Sequence, residues 1–172
     1  MTDPDGTPHP FGPGDTVVLP KGWYGRWDIE EFIHKIWTVT EHADVEGASR
    51  RPVVVGLADL AGGNVASEPA TQKGSTVYDV GNVAVGSWTC TPGSFTVPTR
   101  ASAETMHVLR GTGFVTNADG SSRRCVAGDT VVLPEGWSGT LDVVENFTVV
   151  FSDVASGPRG QRRPLEGRPF RG

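Results

Sequence analysis

Short runs of β-branched and aromatic residues alternate with glycine- and proline-marked turns along most of the chain. The pattern predicts strands over 15–20 and 32–40, with an irregular strand in 23–30 between them. A further run begins at 52–60 and is followed by a loop over 61–75. From residue 76 the strands come in quick succession: TVYDV, NVAVGSWTCT closed by Pro92-Gly93, SFTVPTR, ETMHVLRG, GFVTNADGSSRRCV, TVVLP, TLDVV and FTVVFSD. Asp119-Gly120 is a hairpin turn signal. No segment carries a 3.6-residue apolar period with caps, so the expected class is all-β, a sandwich or a barrel.

One stretch is written twice. Residues 14–25 read GDTVVLPKGWYG and residues 128–139 read GDTVVLPEGWSG, identical at ten of twelve positions. A match of this quality at long separation marks a duplicated structural unit. Gly-Asp makes a turn, Thr-Val-Val-Leu suits a buried strand, and Pro-x-Gly ends that strand sharply. The second copy has a barrel's worth of strands before it and the first does not. The first copy is therefore the closing half of a unit whose opening half is not seen. It can pack on the complete barrel, complete a barrel across a dimer, or belong to a longer two-barrel protein. Strands such as 32–40 are hazardous if left bare, so a cover is expected, and a homodimer is the expected assembly.

Charge and composition narrow the partners. The net charge is −5, which disfavours nucleic acid and anionic membranes. The last 17 residues hold five arginines against one glutamate, a local +4 that leaves −9 for the rest. This Gly/Pro/Arg segment reads as a disordered basic tail. No run approaches the ~18 apolar residues of a membrane span, and the polar start has no signal-peptide pattern; a cytoplasmic location is expected. Cys90 and Cys125 lie in strand-like context without CxxC spacing, so two free buried thiols are expected.

The order TPGSFTVPTRASAETMHVLRGTGFV, then an Asp-Gly hairpin, then GDTVVLPEGWSG resembles the paired motifs of the cupin superfamily. It is most similar to the ureidoglycine aminohydrolase-like subfamily, often built as tandem bicupins. Gly14, Pro20, Gly22, Trp23, Trp27, Glu31 and Lys35 fit that subfamily's second motif. The resemblance implies a double-stranded β-helix, or jelly roll, with an N-terminal partial cupin repeat. The expected plan is a structureless leader at 1–12, the partial repeat at 13–40, a linker at 41–51, the complete barrel at 52–153 and the tail at 154–172.

The resemblance also implies a metal held by three histidines and a glutamate. Glu104 matches the glutamate. The motif-one histidines fall on Pro98 and Arg100, or on Val97 and Thr99 with the longer spacing. The motif-two histidine falls on Gly139, and on Gly25 in the first copy. A transition metal needs three or four N, O or S donors, so no metal cofactor is expected. Arg100 and Glu104 can form an ion pair inside the barrel. The plain reading is a structural bridge between strands; the functional one is an anchor for a small molecule, with Glu104 as acid or base. Strand alternation from Glu104 turns Met106 and Val108 inward and His107 outward. Trp88 and Trp137 are candidates for the cavity wall. The expected function is metal-free binding of a small polar or aromatic metabolite, with acid/base turnover through Glu104 and Arg100. The alternatives are a metal-dependent enzyme like ureidoglycine aminohydrolase and a non-catalytic structural or regulatory cupin.

Overall fold

The computed structural model describes residues 1–42, 44–56 and 72–156. Most of the expected basic tail and of the 61–75 loop lie outside these residues; the tail's first positions, 154 and 155, are instead the end of the last strand. Every regular element described is a strand.

The duplicated GDTVVLP unit contributes β1 (Thr16–Val18), which pairs antiparallel with β2 (Val53–Val55). Nine more strands follow. They are β3 (Gln72–Val80), β4 (Val83–Cys90), β5 (Gly93–Val97), β6 (Ser102–Arg110), β7 (Thr112–Asn117), β8 (Ser122–Val126), β9 (Thr130–Leu133), β10 (Gly139–Val143) and β11 (Phe147–Ala155). They form a five-stranded sheet in the order β3-β4-β11-β6-β9 and a four-stranded sheet in the order β5-β10-β7-β8. All pairs are antiparallel. The chain crosses between sheets at nearly every turn, as a jelly roll requires.

The core sits between the two sheets and follows the period of two. On β6, Met106 and Val108 point in; on β11, Phe147, Val149 and Phe151 do; Leu141 and Val143 do so on β10. Phe95, Cys90, Cys125 and Leu133 complete the cluster, with Trp88 and Trp137 packed against it. β11 lies between β4 and β6, at the centre of its sheet. Its apolar run FTVVF is what a strand flanked on both edges needs.

The N-terminal segment differs from expectation in two ways. Residues 1–9 of the expected structureless leader are a hydrogen-bonded hairpin. Thr2 bridges Pro8, Asp3 N–H donates to the Thr7 carbonyl at 2.9 Å, and Thr7 N–H donates to the Asp5 carboxylate at 2.9 Å. Asp5-Gly6 is the same turn signal as Asp119-Gly120. The Pro/Gly-rich composition around it hides the strand pattern. Conversely, residues 23–30 and 32–40 form no regular strand, although their sequence is strand-like. The physical reason is pairing: a strand exists through its neighbours, and among the described residues an isolated bridge from Thr2 to Arg26 is all the ladder this stretch has.

Candidate functional site

The β5–β6 loop brings Arg100 to one end of the barrel, and β6 carries Glu104 inward there. Arg100 Nη2 lies 2.5 Å from Glu104 Oε2. The same nitrogen lies 3.1 Å from Asp153 Oδ2, and Arg100 Nε donates to the Ser102 carbonyl at 3.3 Å. Glu104 and Asp153 face each other directly across the β6–β11 pair. Side-chain exposures of 16% for Arg100, 15% for Glu104 and 7% for Asp153 leave the cluster mostly enclosed but reachable from solvent. One guanidinium nitrogen is thus shared between two carboxylates. This differs from a bidentate fork, in which two nitrogens would grip one carboxylate.

The backbone of Arg100 is held as firmly as its side chain. Arg100 N–H donates to the Trp137 carbonyl at 2.9 Å, and Gly136 N–H donates to the Arg100 carbonyl at 2.9 Å. Here the loops of the two sequence motifs meet. Gly136 makes the turn with φ 83°, a conformation that favours glycine.

Asp153 was not singled out by sequence reasoning. A signal for it exists: β11 places Phe147, Val149 and Phe151 inward, and the next inward position holds a carboxylate. A charge on the buried phase of an apolar strand needs a partner, and Arg100 provides it.

The other candidate residues are core. Val108 is fully buried (0% exposed) and Met106 nearly so. Neither presents surface to a ligand while the core stays packed, and this corrects their reading as ligand contacts. Trp88 stacks edge-on against Phe95 at 6.0 Å and Phe147 at 6.4 Å. Its indole N–H donates to Gln72 Oε1 at 3.1 Å. Trp137 packs on the core, and its N–H donates to Asn117 Oδ1 at 2.7 Å. His107 lies on the outer side and contacts Thr130 Oγ1 at 3.1 Å. Both cysteines are free and buried. Burial pushes the Cys90 thiol up to about 12 and raises that of Cys125 as well, so neither is an activated nucleophile.

The residues present do not fit the metal of the cupin superfamily. A guanidinium only donates hydrogen bonds, and Arg100 sets one directly against Glu104. Among the described residues no three His, Cys, Asp or Glu side chains gather to hold a metal ion.

Two antiparallel sheets closed on one core, with the paired motif loops hydrogen-bonded together, define a cupin. The chain belongs to the EutQ-like cupin domain family, whose model matches residues 1–37 and 78–150. Similar solved structures include the EutQ protein of Clostridium difficile, at 14% identity over 51% of this chain and 70% of that one, TM-score 0.46. A cupin superfamily protein of Desulfitobacterium hafniense is similar at 11% identity over 54% and 84%, TM-score 0.48. A protein of unknown function from Rhizobium leguminosarum is similar at 23% identity over 51% and 85%, TM-score 0.46. No curated protein matches the chain in sequence. No helix is long and apolar enough to cross a membrane among the described residues.

Proposed function

We propose that this cupin binds a small polar or aromatic metabolite without a metal and turns it over by proton transfer at Glu104. One observation carries the reading: a partly accessible guanidinium held between two carboxylates at the inner end of an otherwise apolar barrel. Convergent polar groups in apolar surroundings are the usual build of a small-molecule site. Arg100 binds an anionic or carbonyl group of the ligand. Asp153 keeps the guanidinium in place when Glu104 turns from it to the ligand. Glu104 then takes a proton from the ligand and returns it.

The test is a thermal-shift screen of small carboxylates, amides, amines and aromatic metabolites, followed by turnover assays on any hit. Glu104→Gln is the cleaner variant, because Asp153 still pairs with Arg100. It is expected to keep the fold and abolish turnover. Arg100→Ala is expected to abolish binding and also to lose stability, since both carboxylates then lose their ion pair to the guanidinium. Full activity in both variants would place the site elsewhere.

A metal-dependent enzyme like ureidoglycine aminohydrolase is the competing proposal. Elemental analysis of the purified protein decides it: stoichiometric manganese, zinc, iron or nickel would overturn the metal-free reading. A non-catalytic cupin is favoured by a different observation, the aromatic filling of the barrel by Trp88, Phe95 and Phe147. A screen without a single hit would support it.

A further inference from the structure

The hydrogen bonds extend the internal repeat well beyond its twelve-residue signature, all at a constant offset of 114 residues. Thr2 bridges Arg26 as Thr116 pairs with Thr140. The Trp23 indole donates to Asp3 Oδ1 at 2.7 Å, and the Trp137 indole donates to Asn117 Oδ1 at 2.7 Å. Gly12 N–H donates to Asp15 as Val126 N–H does to Asp129. Thr7 N–H donates to Asp5 as Ser121 N–H does to Asp119. The first copy has therefore already folded the β7–β8 hairpin, the Pro-x-Gly turn and the start of β10.

Carried forward at the same offset, residues 33–40 are the counterpart of β11. The inward set Leu141, Val143, Phe147, Val149, Phe151 and Asp153 is buried throughout. Its counterparts are Trp27, Ile29, Ile33, Lys35, Trp37 and Val39. All five apolar members of this second set are exposed, Trp37 at 71% and Val39 at 75%. Lys35 rests over the Trp27 ring at 4.2 Å. A second observation agrees. In the complete barrel the backbone of Arg100, from the opening half, docks on Gly136 and Trp137. At the matching place the first copy has a cavity of about 310 Å³ lined by Asp3, Asp5, Gly22, Trp23, Tyr24 and Arg50, among others.

We propose that residues 1–40 are the closing half of a second cupin barrel. Their exposed face takes up a separate opening half, four strands of the β3–β6 kind with a carboxylate opposite Lys35. Charge selects this occupant over a second copy of the chain. In the complete barrel Val149 faces Val108 and Trp88 across its two neighbouring strands, all in dry core. An exchange with another copy's opening half would set Lys35 there, a buried ammonium with no acid to meet it. This inference does not rest on the Arg100 site.

The test supplies an opening half. A copy of residues 72–114 is fused ahead of Met1 of the full chain, so that residue 114 runs into residue 1 in the register of the repeat. One fusion carries Val108→Glu in the added copy; the other keeps that copy unchanged and carries Lys35→Val. Hydrogen exchange is read at 33–40, with the resident barrel at 72–156 as the internal control of folding. In each fusion amide exchange at 33–40 is expected to slow at least about 100-fold relative to the unfused chain. Two fusions are used so that failure of one to fold leaves the other decisive. Residues 33–40 as unprotected in a folded fusion as in the chain alone would overturn the proposal. So would an unfused chain that dimerises and protects 33–40 by itself, which would assign the face to a second copy.

Discussion

An ideal Cβ placed on Gly139 would overlap the Thr116 carbonyl oxygen and the Trp137 ring. Gly25 meets the same pair of obstacles in the first copy, the Thr2 carbonyl oxygen and the Trp23 ring. This is the position at which the cupin superfamily places its second-motif histidine. Here the tryptophan two residues earlier has taken the space, and it is anchored by its indole hydrogen bond. Gly139→Ala is therefore expected to destabilise the barrel by about 1–3 kcal/mol through overpacking, measured as a fall in the urea midpoint. An unchanged midpoint would mean that both the Thr116 backbone and the Trp137 ring move aside freely. The sequence makes the absence of the histidine plain, but not its cause, because the Trp137–Asn117 contact spans twenty residues and a turn. Arg100 and Glu104 were legible as a pair from motif spacing. Asp153 was not, since its partner lies fifty-three residues away and only the β6–β11 register brings them together.

At the scale of the element, one strand sequence has two fates. β11 and residues 33–40 have comparable β-branched and aromatic content, yet only β11 is a strand. Its flanking strands supply the backbone partners on both edges, and its side chains close the core. Phe147→Ala is expected to cost about 3–5 kcal/mol in urea unfolding, the usual toll for emptying a buried aromatic position. The twin substitution Ile33→Ala is expected to change stability by less than about 0.5 kcal/mol in the chain alone, as at other exposed sites. Equal losses would show that residues 33–40 are buried in solution. Hydrophobic alternation thus reported strand potential faithfully. It could not report whether neighbours were present, because pairing is a property of the sheet and not of the segment.

For the whole molecule, pH acts on stability through the buried thiols. Cys90 is fully enclosed, and its pKa is pushed up to about 12. In the unfolded chain a thiol ionises near 8.5. The unfolded state then binds fewer protons than the folded one above about pH 8.5, so stability falls as pH rises. The contribution is complete below about 8.5 and is lost progressively toward 12. Urea midpoints measured between pH 7 and 10 are expected to decline across the upper part of that range in the wild type. The decline should be clearly shallower in Cys90→Ala, and equal slopes in the two proteins would refute the assignment.

The sequence by itself determined the all-β class, the cupin motifs, the duplication and the lost ligand set. These rest on local signals: alternation, turn residues and motif spacing act within a few residues of one another. Tertiary structure alone decided three things. It made a hairpin of residues 1–9, where proline and glycine masked the pattern. It gathered Arg100, Glu104 and Asp153 into one cluster. It left the counterpart of β11 without a paired strand among the described residues. Each depends on which strands lie side by side, and that is settled by pairing and packing across the whole chain rather than by the residues of any one stretch.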